Sequence, residues 1–281
     1  MLRPPLKSEL SASVAAAVKA GLGVVTPEVL HLGNHTSVRL APWPIVARIA
    51  SGTSFDFSDR TLSRELMVAT HLASWKAPSV RPFRGSAPGP YLENECAITL
   101  WELVEGRAIA TRDDELMAAA SLKTIHSALA DLEADLPSFI TKVESCETIL
   151  KDPAQAVELG ATDRLFLEEL YAALRRDLNG VGGTWRPLHG DTHVGNVLVT
   201  GAGAIWMDLE AACVGPLEWD IVNLPIATWP EFAGIDLDLM RLFADVRSLC
   251  VAVWCWAEFD RSSATSKAAI HHLGNLKTRF S

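Results

Sequence analysis

The stretch that most constrains this chain reads Leu188-His189-Gly190-Asp191-Thr192-His193-Val194-Gly195-Asn196-Val197-Leu198-Val199, with an echo at Ile205-Trp206-Met207-Asp208-Leu209-Glu210. An apolar strand leads into His-Gly-Asp, a short polar loop ends at an Asn, and a second strand leaves. That strand turns at Gly201-Ala202-Gly203, and a third ends in an Asp. The order gathers a carboxylate, a carboxamide and a second carboxylate around one loop. Such a set suits phosphoryl transfer from a magnesium nucleotide. One Asp orients a hydroxyl and accepts its proton, while the Asn and the other Asp hold the metal on the phosphates. Singly, each residue has a plainer reading as turn or cap chemistry. Together, between apolar strands, they point to a site.

Composition narrows the alternatives. The chain has 281 residues, 49% of them hydrophobic, enough for one large domain or two lobes. Its formal net charge is -9 and its pI is near 5.4. A nucleic-acid partner would call for a basic stripe, so that class is disfavoured. The acidic balance is compatible with a cationic small substrate. Cys96, Cys146, Cys213, Cys250 and Cys255 are odd in number and form no Cys-x-x-Cys pair, so they read as reduced thiols. Met1-Leu2-Arg3-Pro4-Pro5 does not open a signal peptide. The apolar stretch 237–259 carries Arg241, Asp245 and Arg247, which makes it a core helix and not a membrane span. The expectation is a cytoplasmic protein with no membrane partner. Monomer and dimer both stay open.

His-Gly-Asp, an Asn five residues after that Asp, and an Asp at a strand end a dozen residues on resemble the aminoglycoside phosphotransferase and choline kinase-like family. The resemblance implies a bilobal protein-kinase-like α+β fold, with a small antiparallel-sheet N-lobe (1–104) and a mainly helical C-lobe (105–281). It implies Asp191 as the catalytic residue and Asn196 and Asp208 as magnesium ligands. Pro216-Leu217-Glu218-Trp219-Asp220 is similar to the family's Asp-bearing segment that opens the next helix. Arg48 stands where the family typically has a Lys on the nucleotide phosphates. Arg can grip phosphate by two prongs but is not a geometric substitute for Lys. Glu65 matches the helix Glu that pairs with this cation. The turn from Gly33 to Ser37 resembles the nucleotide-covering loop, whose backbone amides can approach phosphate oxygens. The run from Trp101 to Leu103, ahead of Gly106, is similar to the hinge whose backbone bonds the base. The donor implied is ATP, or GTP, with Mg2+. The acceptor implied is a hydroxyl of a small, cationic molecule, with an aminoglycoside-like or other basic antibiotic as the leading reading. A metabolite kinase for an amino sugar or choline-like alcohol, or a non-catalytic nucleotide-binding module, is the alternative.

Elsewhere the pattern is mostly structural. Helical spacing falls at 8–20, 58–75, from 111 to about 132, at 139–150, 163–178, 236–259 and 263–279. Short strands fall at 29–32, 37–40, 45–50, 80–83 and 96–101. His126 reads as a packing residue and His189 as a loop holder. His193 lies near the site without a role. Glu210 follows Asp208 by two positions, which does not require it to face the same way. Trp254 and Trp256, with Glu258 and Asp260, could line a pocket but read as core. His271 and His272 are adjacent and so point to different helix faces, a poor metal pair.

Overall fold

The computed structural model describes residues 6–33, 35–51, 59–85, 87–259 and 262–280. Asn34, Ser58, Asp260 and the opening Met1 to Pro5, all used in the sequence reading, lie outside the described residues. In chain order the elements are α1 (Leu6–Lys19), β1 (Thr26–Leu32), β2 (Thr36–Ala41), β3 (Ile45–Ser51), α2 (Asp59–Ser74), β4 (Tyr91–Glu93) and β5 (Cys96–Glu102). Then come α3 (Arg112–Leu129), α4 (Phe139–Lys151), α5 (Ala161–Asn179), β6 (Arg186–Leu188), β7 (Val197–Thr200), β8 (Gly203–Trp206), β9 (Cys213–Gly215), α6 (Glu218–Ile221), α7 (Leu237–Ala257) and α8 (Ser263–Phe280). Residues 80–83 are not a strand; Ser79 and Pro82 make single bridges, to Trp206 and Trp101. Pro78 stands just before this short run and Pro82 lies within it, and each lacks the N–H that a ladder needs.

The chain packs as two compact units, one of residues 1–134 with 191–212, the other of 135–190 with 213–281. The first unit holds a five-stranded antiparallel sheet in the order β1-β2-β3-β5-β4. Successive strand side chains alternate faces. Val38 and Leu40 of β2, Ala47 and Ile49 of β3, and Ile98 and Leu100 of β5 share one face and pack with Ala12, Ala16 and Ala17 of α1. Alanines at that spacing let the helix lie close to the sheet. The other face carries Ser37, Arg48, Thr99 and Trp101 by the same alternation. In the same unit β7 and β8 form a hairpin. Gly106 passes against it so closely that a Cβ would stand 3.0 Å from Leu198 Cβ and 3.1 Å from Val199 O. Arg107 pairs with Val199 by both backbone bonds, at 3.0 and 2.8 Å.

Helix α3 begins with a reciprocal cap. Thr111 Oγ1 accepts from the Asp114 N–H, and Asp114 Oδ2 accepts from the N–H groups of Thr111 and Ala110. Arg107 adds a two-pronged contact to the same carboxylate, at 2.7 and 2.9 Å. The Arg107 guanidinium first, and the Ala110 and Thr111 amides after it, hold the Asp114 carboxyl well below the usual carboxylate range. A carboxyl depressed in the folded state stabilises the fold above its unfolded pKa, and that stabilisation is lost as pH falls through the lowered value. Asp114→Asn is therefore expected to lower Tm at neutral pH and to flatten the decline of Tm below about pH 4. Melting curves across pH for both proteins check this; parallel declines would contradict it.

The second unit is built on α4, α5, α7 and α8, whose apolar faces share one core. Asp236 caps α7 by accepting from the N–H groups of Asp238 and Leu239. Phe139, Trp219 and Phe243 meet with ring centroids 5.0–5.4 Å apart in tilted and edge-on pairs. Each is fully buried, a contribution of about 1.5–3 kcal/mol apiece for a ring of this size. Trp254 and Trp256 pack partly buried against this core, in line with the core reading. Trp254 donates to Ser145 Oγ, and Trp256 stacks on Phe259. All five cysteines are free thiols. Among the described residues no helix is long and apolar enough to cross a membrane.

Candidate active site

The sheet face away from α1 carries a row of polar side chains. Strand register sets Ser37 opposite Arg48, and Arg48 opposite Thr99. Trp101 lies on the same face and donates from Nε1 to Thr99 Oγ1 at 2.8 Å. The backbone N–H of Leu103 donates to Pro44 O at 2.8 Å, so that amide is not an open donor. A groove of about 510 Å³ opens beside Glu102 and Leu103, lined also by Ile45 and Phe83. Ile45 belongs to the α1-facing set, so this groove is not on the Arg48 face.

Arg48 is the hub of the charged cluster. One guanidinium nitrogen donates to Glu65 Oε1 of α2; the other donates to Asp208 Oδ1 at 2.5 Å and Glu210 Oε2 at 3.0 Å. Glu65 is 1% exposed. Burial pulls the Arg48 pKa down, and the carboxylates of Asp208, Glu65 and Glu210 outweigh it, leaving the group raised. Burial pushes the Glu65 carboxyl up to about 8, against the opposing pull of Arg48. Glu210 Oε2 also accepts from His35 Nε2 at 2.9 Å, and the Glu210 carbonyl accepts from Arg64 at 2.9 Å. Ligand-type atoms of His35, Asp208 and Glu210 all lie within 4.8 Å of one another.

The loop from Asp191 to Asn196 is closed by its own bonds. Asn196 Nδ2 donates to Asp191 O at 2.9 Å and reaches Asp191 Oδ2 at 3.5 Å. His193 accepts from the Gly195 N–H through Nδ1, which caps the one-turn 3-10 helix at Val194–Asn196. Its Nε2 stands 3.7 Å from Asp191 Oδ2. The Met207 N–H donates to Asn196 O at 3.0 Å and so ties the loop to the end of β8. Asp208 has φ 67 and ψ 60, a left-handed conformation that costs a non-glycine residue energy. With Asn196 Nδ2 turned to Asp191, its carbonyl oxygen and the Asp208 carboxylate are hard oxygen donors of the kind magnesium takes. The donor set fits that metal.

In the second unit, the backbone ahead of Asp191 is also held. Asp220 accepts from the N–H groups of His189 and Gly190, at 3.0 and 2.8 Å. Gly190 has φ 87, a conformation that suits glycine. Its carbonyl accepts from Arg247 at 2.6 Å, and the Arg247 guanidinium lies 3.9 Å over the Trp219 ring.

Of the residues singled out in the sequence, Arg48, Glu65 and Asp208 meet in one cluster, and Asp191 and Asn196 meet in the adjoining loop. Ser37 is the strand neighbour of Arg48. The Gly33 N–H donates to His35 O, which closes the hairpin tip. Glu210 does face the cluster, because the helical turn at Leu209–Ala211 returns its side chain toward Arg48. His35 was given no site role from the sequence, and Arg247 was named only as a charge in the apolar stretch 237–259. A histidine in a hairpin tip and an arginine in an apolar helix carry no spacing signal, although a cation amid residues as apolar as those of α7 calls for a buried partner. His271 and His272 bond Asn275 and Ser248 respectively and share no ligand geometry.

Comparison with known proteins bears on what this arrangement is. The solved structures it resembles include an amicoumacin kinase in complex with AMP-PNP, Ca2+ and Ami, at 12% identity, with TM-score 0.71 over 94% of this chain and 93% of that one. The GDP and kanamycin complex of APH(2")-IIia is similar at 15% identity, with TM-score 0.70 over 96% and 99%. A microcompartment-associated aminopropanol kinase is similar at 15% identity, with TM-score 0.69 over 93% and 94%. At these identities the likeness establishes the fold, that of protein-kinase-like phosphotransferases with an antiparallel-sheet N-terminal region and a helical C-terminal region. No curated protein matches the sequence. The model of the phosphotransferase enzyme family matches residues 45–254, more than half of the chain, and the chain therefore belongs to that family.

Proposed function

We propose that the chain transfers the terminal phosphate of ATP or GTP to a hydroxyl of a small cationic molecule, with a basic antibiotic of the aminoglycoside kind as the leading acceptor. The observation that carries this reading is the meeting of Arg48, Glu65 and Asp208 beside the Asp191–Asn196 loop. Family membership and neighbours solved with AMP-PNP and with GDP and kanamycin support it. In this reading residues 1–104 cover the nucleotide and 105–281 carry the catalytic loop and the acceptor.

Asp191 accepts a hydrogen bond from the acceptor hydroxyl and aligns its oxygen with the terminal phosphorus. As the new P–O bond forms, the bond from that phosphorus to the bridging oxygen breaks, the nucleoside diphosphate leaves, and the hydroxyl proton passes to Asp191. The transition state is loose, so most of the gain comes from positioning and charge stabilisation. The Asn196 bond to Asp191 O fixes the loop. Asn196 and Asp208 would hold magnesium, which when bound neutralises charge on the phosphates. Arg48, aimed by Glu65, grips phosphate oxygens with its fork. Trp101 and Leu103 border the base, Leu103 through its carbonyl because its N–H is engaged by Pro44. Gly33 and Ser37 lie along the phosphates. A net charge of -9 favours a cationic acceptor and cytoplasmic solubility.

The test is transfer of labelled terminal phosphate, from ATP and from GTP with magnesium, to basic antibiotics, amino sugars and amino alcohols. Label on a basic antibiotic supports the full reading. Label on an amino alcohol or amino sugar alone keeps the phosphotransfer and replaces the acceptor with a metabolite. Nucleotide binding without transfer to any acceptor overturns it in favour of a non-catalytic module.

A further inference from the structure

Glu210 joins parts of the chain that the sequence keeps far apart. Its Oε2 accepts from His35 Nε2 at 2.9 Å and from Arg48 at 3.0 Å, while its carbonyl accepts from Arg64 of α2. His35 is 7% exposed and stands in the hairpin tip, 175 residues away in the chain. Around the single Arg48 guanidinium stand three carboxylates, Glu65, Asp208 and Glu210. A phosphate chain brought to Arg48 adds more negative charge to this crowd, so it needs donors besides the arginine. Among the described side chains that bond directly to this cluster, His35 is the one donor carried by the hairpin tip. A histidine with its proton on Nε2 donates in either charge state.

Resting on the nucleotide-site reading above, we infer that His35 is a nucleotide-phosphate ligand and that Glu210 is its positioning residue. Glu210 Oε2 is the shared acceptor that holds the imidazole of His35 and one nitrogen of the Arg48 fork side by side. A phosphate oxygen of the nucleotide displaces the Glu210 carboxylate oxygen there and takes over the His35 N–H and part of the Arg48 fork. The hairpin tip thus contacts phosphate by a side chain as well as by backbone amides. The pair sets nucleotide affinity and leaves the transfer step to Asp191.

Calorimetry with this chain and magnesium-ATP or magnesium-GTP, whichever the parent binds, tests this on His35→Ala, His35→Gln, Glu210→Gln and the double variant His35→Ala/Glu210→Gln. His35→Ala and Glu210→Gln should each weaken nucleotide binding by roughly tenfold. The double variant should be no weaker than the worse single one, because the two side chains act together. His35→Gln keeps an N–H donor of similar reach and should recover part of the loss. In turnover the nucleotide KM should rise by a larger factor than kcat falls, with the acceptor KM near that of the parent. Melting curves show whether each variant folds; should His35→Ala not fold, His35→Gln and Glu210→Gln decide, both weakened and non-additive when combined. Parent-like affinity in the folded variants, or losses that multiply in the double variant, overturns the pairing while the parent still binds. Binding of neither magnesium-ATP nor magnesium-GTP by the parent overturns the site reading, and the pairing with it.

Discussion

Asp191→Ala should lower phosphate transfer by roughly 10²–10⁴-fold, the range for removing a positioned general base. Nucleotide affinity should stay close to the parent's, because the groups proposed to hold the nucleotide are carried by other elements: Arg48 on β3, aimed by Glu65 of α2, and Asp208 beyond β8 as a magnesium ligand. The Asp191 side chain is also partly exposed, so its removal leaves no buried void. Asn196 keeps its bond to the Asp191 main-chain carbonyl in the variant, which should preserve the loop. Single-turnover rates and nucleotide titrations on both proteins check this. Parent-like turnover in the variant would remove Asp191 from the chemistry. Loss of nucleotide binding along with turnover would make it a structural residue.

Arg48→Met should be the most damaging substitution to the fold of the first unit. It strips the counter-charge from three carboxylates, one of them, Glu65, almost fully buried. Removing one partner of a buried ion pair typically costs about 3–5 kcal/mol, a Tm drop on the order of 10 °C for a chain of this size. Glu65 has an escape in taking up a proton, since burial already pushes it to about 8 and the opposing pull of Arg48 would be gone. A proton held in the folded state but released in the unfolded one makes stability fall as pH rises. Both proteins should therefore lose stability from about pH 4.3, the unfolded glutamate value, upward, and the variant, with the opposing pull of Arg48 gone, over a wider range. Arg48→Lys should lie between, because one ammonium cannot reach Glu65 and the Asp208–Glu210 pair as the two guanidinium nitrogens do. Denaturation of the three proteins across pH gives the order. Equal stability of Arg48→Met and parent would show that the cluster is compensated by other groups.

Much of this was legible in the sequence because its signals are local. His-Gly-Asp, the Asn five residues on and the Asp beyond the next hairpin are fixed by short loops and two strands, so spacing alone brings them together. The helices with apolar periodicity appear within a few residues of where the pattern puts them. What was not legible depends on distant pairing. No spacing links His35 to Glu210, and a residue two positions past Asp208 points to the cluster only because Asp208 turns left-handed and a 3-10 turn follows. Arg247 sits in a helix whose other buried residues are apolar, and it bonds a backbone carbonyl, which leaves no trace in side-chain pattern. The extent of the compact units is likewise a matter of packing. The strand exit near 104 is a visible break, yet residues 105–134 and 191–212 share contacts with what precedes them, through pairs such as Arg107 with Val199.

The most direct test follows the fate of the terminal phosphate. With an accepted small molecule, magnesium and ATP or GTP, nucleoside diphosphate should form one-for-one with phosphorylated acceptor. Little inorganic phosphate should appear, and Asp191→Ala should stop both products together. Diphosphate formed with free phosphate and no change in the acceptor, at a rate unaffected in Asp191→Ala, would contradict a phosphotransfer site built on Asp191.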